Sequence, residues 1–240
     1  MNYFIGCSGY YYPQWKDKLY PKSLPQSLWL SYYANFFNTV ELNGTFYRQP
    51  TLQMLRNYVE NTPDDFRFSV KASRFITHIQ RLKEKQPVLE FQALIDEGLG
   101  ARLNHMLFQM PPSFVFNQEN LDKVITIIPN DPRNVIEFRH NSWWNDTVRE
   151  TLTQANITFC NVDYPGLDTP FIQTTQNFYL RLHGNPELFR SPYSEAQIAR
   201  FHQQFPTDAA QYSIYFNNTI TEAGYENALF LQEIQSSKLQ

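Results

Sequence analysis

This 240-residue sequence predicts a single-domain α/β fold, a (β/α)8 barrel of the TIM type. Three observations carry the prediction. Short β-branched and aromatic runs alternate with segments of helical spacing eight times along the chain, which is the arithmetic of a parallel barrel. A chain of about 250 residues is ordinary for that fold. The strand-like runs also end repeatedly in charged or amide side chains spaced by two, as expected where barrel strands open into a site. An open dinucleotide-binding sheet is disfavoured, because the turn Gly6-Cys7-Ser8-Gly9 is short and followed by aromatic residues. The chain has no P-loop, no His-Glu-x-x-His and no Gly-x-Ser-x-Gly.

Taken in order, Tyr3 to Ser8 reads as the first strand and Tyr10 to Trp15 as an aromatic loop, with a helix over Leu28 to Phe37. Thr39 to Asn43 is the second strand, where Val40 and Leu42 alternate with Glu41 and Asn43. Leu52, Leu55 and Val59 predict a helix over Thr51 to Asn61, with Thr51 as its cap. Phe66 to Lys71 is the third strand, Glu84 to Gly98 a helix, and Leu103 to Gln109 the fourth strand. Then come a helix from Glu119 to Ile128, a strand from Val135 to Arg139 and a helix from Trp144 to Asn156. Strand six is Ile157 to Asp163, followed by a Pro- and Gly-containing excursion to Thr175. Phe178 to His183, a helix from Glu195 to Phe205, Gln211 to Asn217 and a helix from Glu222 to Gln235 complete the set. No composition break marks a second domain, so the barrel is expected to span residues 1–240.

Composition narrows the function classes. A hydrophobic content of 42% excludes a disordered chain. The net charge of -3 does not favour nucleic acid, which only a local patch could attract. Cys7 and Cys160 lie far apart in apolar runs, with neither disulfide nor zinc spacing, which suits a reducing cytoplasm. Met1 to Tyr12 lacks the pattern of a signal peptide, and no stretch is apolar enough to span a membrane.

The strand ends carry the functional argument. They present Glu41, Lys71, Glu137 with Arg139, Asp163, and Arg181 with His183. A carboxylate inside a barrel strand is costly unless paired or metal-bound. Two readings stay open: a plug of ion pairs that closes the barrel top, or a ligand site. Arg48, His78 and Arg81 in the following loops join Lys71, Arg139 and Arg181, so the mouth leans cationic and suits a small anionic or phosphorylated ligand. His183 is a candidate base, anion donor or metal ligand. Among the loop aromatics, Tyr47 and Trp143 stand beside charged strand ends and are the best candidates for stacking on a ligand.

Many of these segments match one family in order. They include Gly6-Cys7-Ser8-Gly9, Asn38-Thr39-Val40-Glu41-Leu42-Asn43 with Thr45-Phe46-Tyr47-Arg48, and Phe68-Ser69-Val70-Lys71-Ala72. Further along come Gln109-Met110-Pro111-Pro112, Glu137-Phe138-Arg139 with Ser142-Trp143, Tyr179-Leu180-Arg181-Leu182-His183-Gly184 and Tyr215-Phe216-Asn217-Asn218. On these the chain resembles the DUF72, or YecE-like, proteins, and the resemblance implies a TIM-type barrel without an assigned activity. Tyr10 and Asp17 depart from the family's usual Trp and Gly.

The functional expectation is a hydrolase or lyase acting on a phosphorylated or other anionic substrate at the C-terminal face of the barrel. Glu41, Glu137, His183 and Asp163 would be the acid, base or ligand groups. Arg48, Lys71, Arg139, Arg181 and His78 would bind the anion. With only 5 histidines in the chain, a divalent cofactor would be Mg²⁺ or Mn²⁺ among oxygens rather than a zinc cluster. The alternatives are a non-catalytic binder of small anions or nucleic acid, and a glycoside-type enzyme using Glu41 and Glu137 as its carboxylate pair.

Overall fold

A computed structural model describes residues 2–167 and 169–237. Its strands are β1 (Asn2–Cys7), β2 (Thr39–Leu42), β3 (Arg67–Lys71) and β4 (Leu103–Gln109), then β5 (Asn134–Glu137), β6 (Thr158–Asp163), β7 (Asn177–Leu182) and β8 (Gln211–Phe216). They form one parallel sheet in the order β1-β8-β7-β6-β5-β4-β3-β2, a barrel closed everywhere but between β1 and β2. The helices are α1 (Trp29–Tyr33), α2 (Gly44–Tyr47), α3 (Leu52–Glu60) and α4 (Gln86–Leu99), then α5 (Gln118–Ile127), α6 (Asp146–Gln154), α7 (Glu195–Gln203) and α8 (Ala223–Ser237).

Local chemistry sets where these helices start. Thr51 accepts from Met54 N–H to cap α3, Asn117 and Asn145 cap α5 and α6 in the same way, and Ser194 with Gln197 forms a capping box on α7. The helix expected over Leu28 to Phe37 shrinks to α1, led in by a 3₁₀ turn at Gln26–Leu28. No helix forms between β6 and β7 among the described residues. Instead the extended segment after β6 covers that side of the barrel. The Asn161 amide pairs with both backbone groups of Ile172 (2.7 and 2.9 Å), and Thr174 Oγ1 accepts from Phe159 N–H.

The β1–β2 seam is bridged by side chains rather than a backbone ladder. The Tyr33 hydroxyl accepts from Cys7 N–H (2.8 Å) and donates to Thr39 O (3.1 Å). Asn38 Nδ2 donates to Tyr3 O and Asn43 Nδ2 to Ser8 O, so the seam is tied along its length. Gly6 is required here. A Cβ at that position would sit 2.3 Å from Thr39 O, too close for any side chain.

Strand parity then sorts the side chains. Val40, Leu42, Phe68, Val70 and Phe138 face the helices in the main core. Leu107, Val135, Cys160, Val162, Tyr179 and Tyr215 fill the barrel interior. There the Tyr215 hydroxyl reaches across to Thr39 Oγ1 and Ser69 Oγ, both at 2.8 Å. Cys7 and Cys160 are free and buried. No helix among the described residues is long and apolar enough to cross a membrane.

Candidate functional site

Above the Tyr215 layer, parity brings the charged residues of β2, β5 and β7 inward at the C-terminal end of the barrel. Arg181, fully buried, is the hub. Its Nε and Nη2 donate to Glu41 Oε1 and Oε2 at 2.9 and 2.7 Å, and its Nη1 donates to Glu137 Oε2 at 2.6 Å. Tyr179 adds a hydrogen bond to Glu41 Oε1 at 2.8 Å. Arg139 Nε pairs with the other oxygen of Glu137. Burial alone would raise the Glu137 carboxyl, but Arg139, Arg181 and Lys71 more than offset this and hold it below the usual range. Burial likewise disfavours the Arg181 cation, while Glu137 and Glu41 outweigh that and raise its pKa.

His183 closes the group. Its Nε2 lies 3.2 Å from Arg139 Nη2 and 3.8 Å from Glu137 Oε1, and its Nδ1 lies 2.8 Å from the Asn217 amide. Burial and the Arg139, Arg181 and Lys71 charges push its pKa well below the usual value, so the ring is neutral. A neutral imidazole carries one N–H. Both neighbours are satisfied when Asn217 presents its oxygen to Nδ1–H and Arg139 donates to Nε2.

Lys71, at the end of β3, stands apart from this web. Its ammonium position lies 4.3 Å from the centre of the Phe46 ring, and the residue is half-buried. Among the described residues Nζ has no ion pair and no hydrogen bond. Burial, then Arg181, lower its pKa to about 7, despite the opposing pull of Glu137 and Glu41. His78 packs edge-on against the same Phe46 ring at 5.0 Å. Burial and the Lys71, Arg74, Arg139 and Arg81 cations lower the His78 pKa to about 4.

The rim is mixed. Arg48 is exposed and lines two clefts, one of about 400 Å³ with Phe46, Ser73 and Arg74, the other of about 450 Å³ with Ser8, Tyr12 and Asn43. Ser8 Oγ and Asn43 Oδ1 are buried without a partner among the described residues. Arg139 lies over the Tyr164 ring at 4.2 Å.

The structure therefore brings Glu41, Glu137, Arg139, Arg181 and His183 into one bonded web, with Lys71 and His78 beside it. Arg48 stays on the exposed rim, and three more expected residues also stand elsewhere. Asp163 faces away from the barrel interior, because Cys160 and Val162 take the inward positions of β6; its carboxylate accepts from Tyr193 and Asn185. Trp143 is fully buried, stacked between Phe138 and Phe114, with its indole N–H donated to Phe114 O, so it offers no face to a ligand. Tyr47 is 82% exposed on the rim, edge-on to the Phe46 ring at 5.0 Å and outside the bonded web.

Sequence reasoning gave Phe46 and Tyr179 no part in the site, and Asn217 stood among the polar strand ends without a role. The one-turn helix α2 rotates successive side chains by about 100°, which selects Phe46 over Tyr47. A turn of four residues leaves no periodicity by which to see this. Tyr179 was legible only as the residue two before Arg181, on the same face of β7.

The web also decides what the carboxylates can do. The Arg181 guanidinium bridges Glu41 and Glu137, where a glycosidase would need its scissile oxygen, so as folded the pair is engaged with a shared cation. All four carboxylate oxygens already accept from guanidinium groups or Tyr179. A Mg²⁺ or Mn²⁺ would have to displace a guanidinium to use them, so this donor set does not fit a hard cation as folded.

Comparison with known proteins places the chain. The family described as "Protein of unknown function DUF72" matches residues 4–239. A DUF72 family protein from Thermotoga maritima MSB8 superposes with a TM-score of 0.87 at 30% identity, covering 98% of this chain and 100% of that one. One from Enterococcus faecalis V583 superposes with a TM-score of 0.79 at 22% identity, over 98% and 95% of the two chains, and supports the fold alone. The UPF0759 protein YunF of Bacillus subtilis (strain 168) is 29% identical over 137 residues, which is 54% of this chain and 49% of the relative. The UPF0759 protein YecE of Escherichia coli (strain K12) is 32% identical over 112 residues, 46% of this chain and 38% of the relative. The aligned stretches thus span half or less of these curated relatives. With the family matched over nearly its whole length, the chain belongs to the DUF72 family.

Proposed function

We propose that this barrel is a hydrolase or lyase that takes a small phosphorylated or otherwise anionic substrate at its C-terminal mouth, with Lys71 as the group that exchanges a proton with it. The supporting observation is the contrast between Lys71 and its neighbours. Every carboxylate oxygen of Glu41 and Glu137 is held by a guanidinium or Tyr179, and His183 is neutral and hydrogen-bonded at both nitrogens. Lys71 alone of these is only partly buried as a residue and unpaired among the described residues, with a pKa of about 7. A general base works best when its pKa lies near the working pH. Glu41, Glu137 and Arg181 then act as a rigid platform, while Lys71, Arg139 and the exposed Arg48 give the mouth its positive field. A reducing compartment suits the two free cysteines.

The test is calorimetric titration with inorganic phosphate and a panel of sugar phosphates, followed by NMR monitoring of the same mixtures for turnover. Wild type should bind and convert at least one of them. Lys71→Met should bind more weakly and convert none. Flat titrations across the panel would overturn the reading.

A further inference from the structure

We propose that Lys71 is a carbonyl-binding amine: its Nζ condenses with an aldehyde or ketone whose other end carries a phosphate or carboxylate. This rests on the reading of the mouth as an anion site and names the substrate class that site takes.

Geometry supports it in three ways. First, Nζ has no hydrogen-bond acceptor or ion-pair partner among the described residues, so its lone pair is not committed once a proton leaves. The charged and titratable groups around it are Glu41 on β2, His78 after β3, Glu137 and Arg139 at the end of β5, and Arg181 and His183 at the end of β7. Their carboxylates are already saturated by Arg181, Arg139 and Tyr179, so none is left to fix the amine as an ammonium. Second, the Phe46 ring lies 4.3 Å from Nζ. An iminium ion keeps a positive charge on that nitrogen, and the ring face stabilises it as it forms. Third, Phe46, the ring that Nζ touches, also lines a cleft of about 400 Å³ whose charged residues are Arg48, Arg74 and Glu90. A substrate with its carbonyl at Lys71 would direct its anionic group past that ring toward the two arginines, which outnumber the one carboxylate.

The chemistry balances without a further reactant. The neutral amine attacks the carbonyl carbon, the N–C bond forms, and the π pair moves to oxygen, which takes a proton from solvent. The nitrogen loses one proton. The C–O bond then breaks as the oxygen leaves as water with a second proton. The net change is amine plus carbonyl plus one proton giving an iminium and one water. A lysine near neutrality reaches its nucleophilic form without strong base, as in other Schiff-base lysines.

The test is reductive trapping. Wild-type protein is incubated with glycolaldehyde phosphate and sodium borohydride at pH 7, then digested and mapped by mass spectrometry. Lys71 should be labelled at least tenfold more than exposed lysines such as Lys16 or Lys83, and at least tenfold more than with uncharged glycolaldehyde. Lys71→Arg should abolish labelling of that peptide while keeping the circular dichroism of wild type. Labelling spread evenly over the surface lysines would overturn the proposal, and because it is read on wild type it does not depend on the variant folding. Calorimetry with phosphate on the same preparation separates two failures. Phosphate binding without a Lys71 adduct overturns the Schiff base alone, whereas loss of both overturns the anion site as well.

Discussion

Arg181 and Glu41, on strands that are far apart in the sheet order, meet inside the barrel through two parallel hydrogen bonds of 2.9 and 2.7 Å. Both side chains are buried, at 1% and 0% exposure, so solvent contributes nothing to either charge. Such a pair contributes less by its own attraction than by the cost of breaking it, since one partner alone is an uncompensated buried ion. The same guanidinium also holds Glu137. The mouth of the barrel is therefore organised by one arginine.

Removing that arginine gives the largest effect expected in the web. Arg181→Met leaves Glu41 and Glu137 facing each other without their shared cation, and stability should fall by about 3–5 kcal/mol. Urea unfolding followed by circular dichroism measures this. A loss below about 1 kcal/mol would mean that the two carboxylates find other partners.

The seam between β1 and β2 rests on one hydroxyl more than on any other atom. Tyr33→Phe keeps the ring in the core but leaves Cys7 N–H and Thr39 O without their bridge. An unsatisfied buried polar group costs about 1–3 kcal/mol. Unfolding by urea should show a loss in that range, and amide exchange at Cys7 should speed up while that of β6 does not. Unchanged protection at Cys7 would show the two strands to be tied some other way.

Acid should weaken the fold before the carboxylates titrate. His183, His105 and His78 all have pKa values lowered in the folded chain, mainly by burial, to well below normal, about 3 and about 4 respectively. Below the unfolded value of about 6.5 the unfolded chain binds protons that the folded chain refuses. Stability is thus fully present above pH 6.5 and is lost as pH falls toward the folded values. Glu137 acts in the same direction at lower pH, because its pKa is also lowered. The melting temperature should fall steadily from pH 7 to pH 5. A flat profile over that window would show that these rings are charged in the folded protein.

The sequence made the barrel legible because strand and helix periods alternate cleanly and the strands are short. Each expected strand lies within about two residues of an observed one. The charged cluster was legible for a related reason: Glu41, Glu137 and Arg181 are the charged residues of β2, β5 and β7. Asp163 was not, since on β6 both faces are occupied and only the packing of Cys160 and Val162 shows which is the interior. Trp143 was misplaced because an aromatic residue beside a charged strand end looks the same whether it stacks on a ligand or on Phe138. The Tyr33 bridge and the Phe46 platform depend on contacts between elements remote in pattern, and no local spacing announces them.

The chemistry of the mouth depends on Lys71 being an amine near neutrality, and its titration can be read directly. Protein carrying ¹³C at the lysine ε-carbon, with Lys71→Arg used to assign the resonance, should show one lysine titrating with a midpoint at about 7. If the Lys71 resonance shows no step near pH 7 and moves only in alkaline solution, its ammonium persists at neutral pH, and the proton-transfer and carbonyl chemistry assigned to it is contradicted.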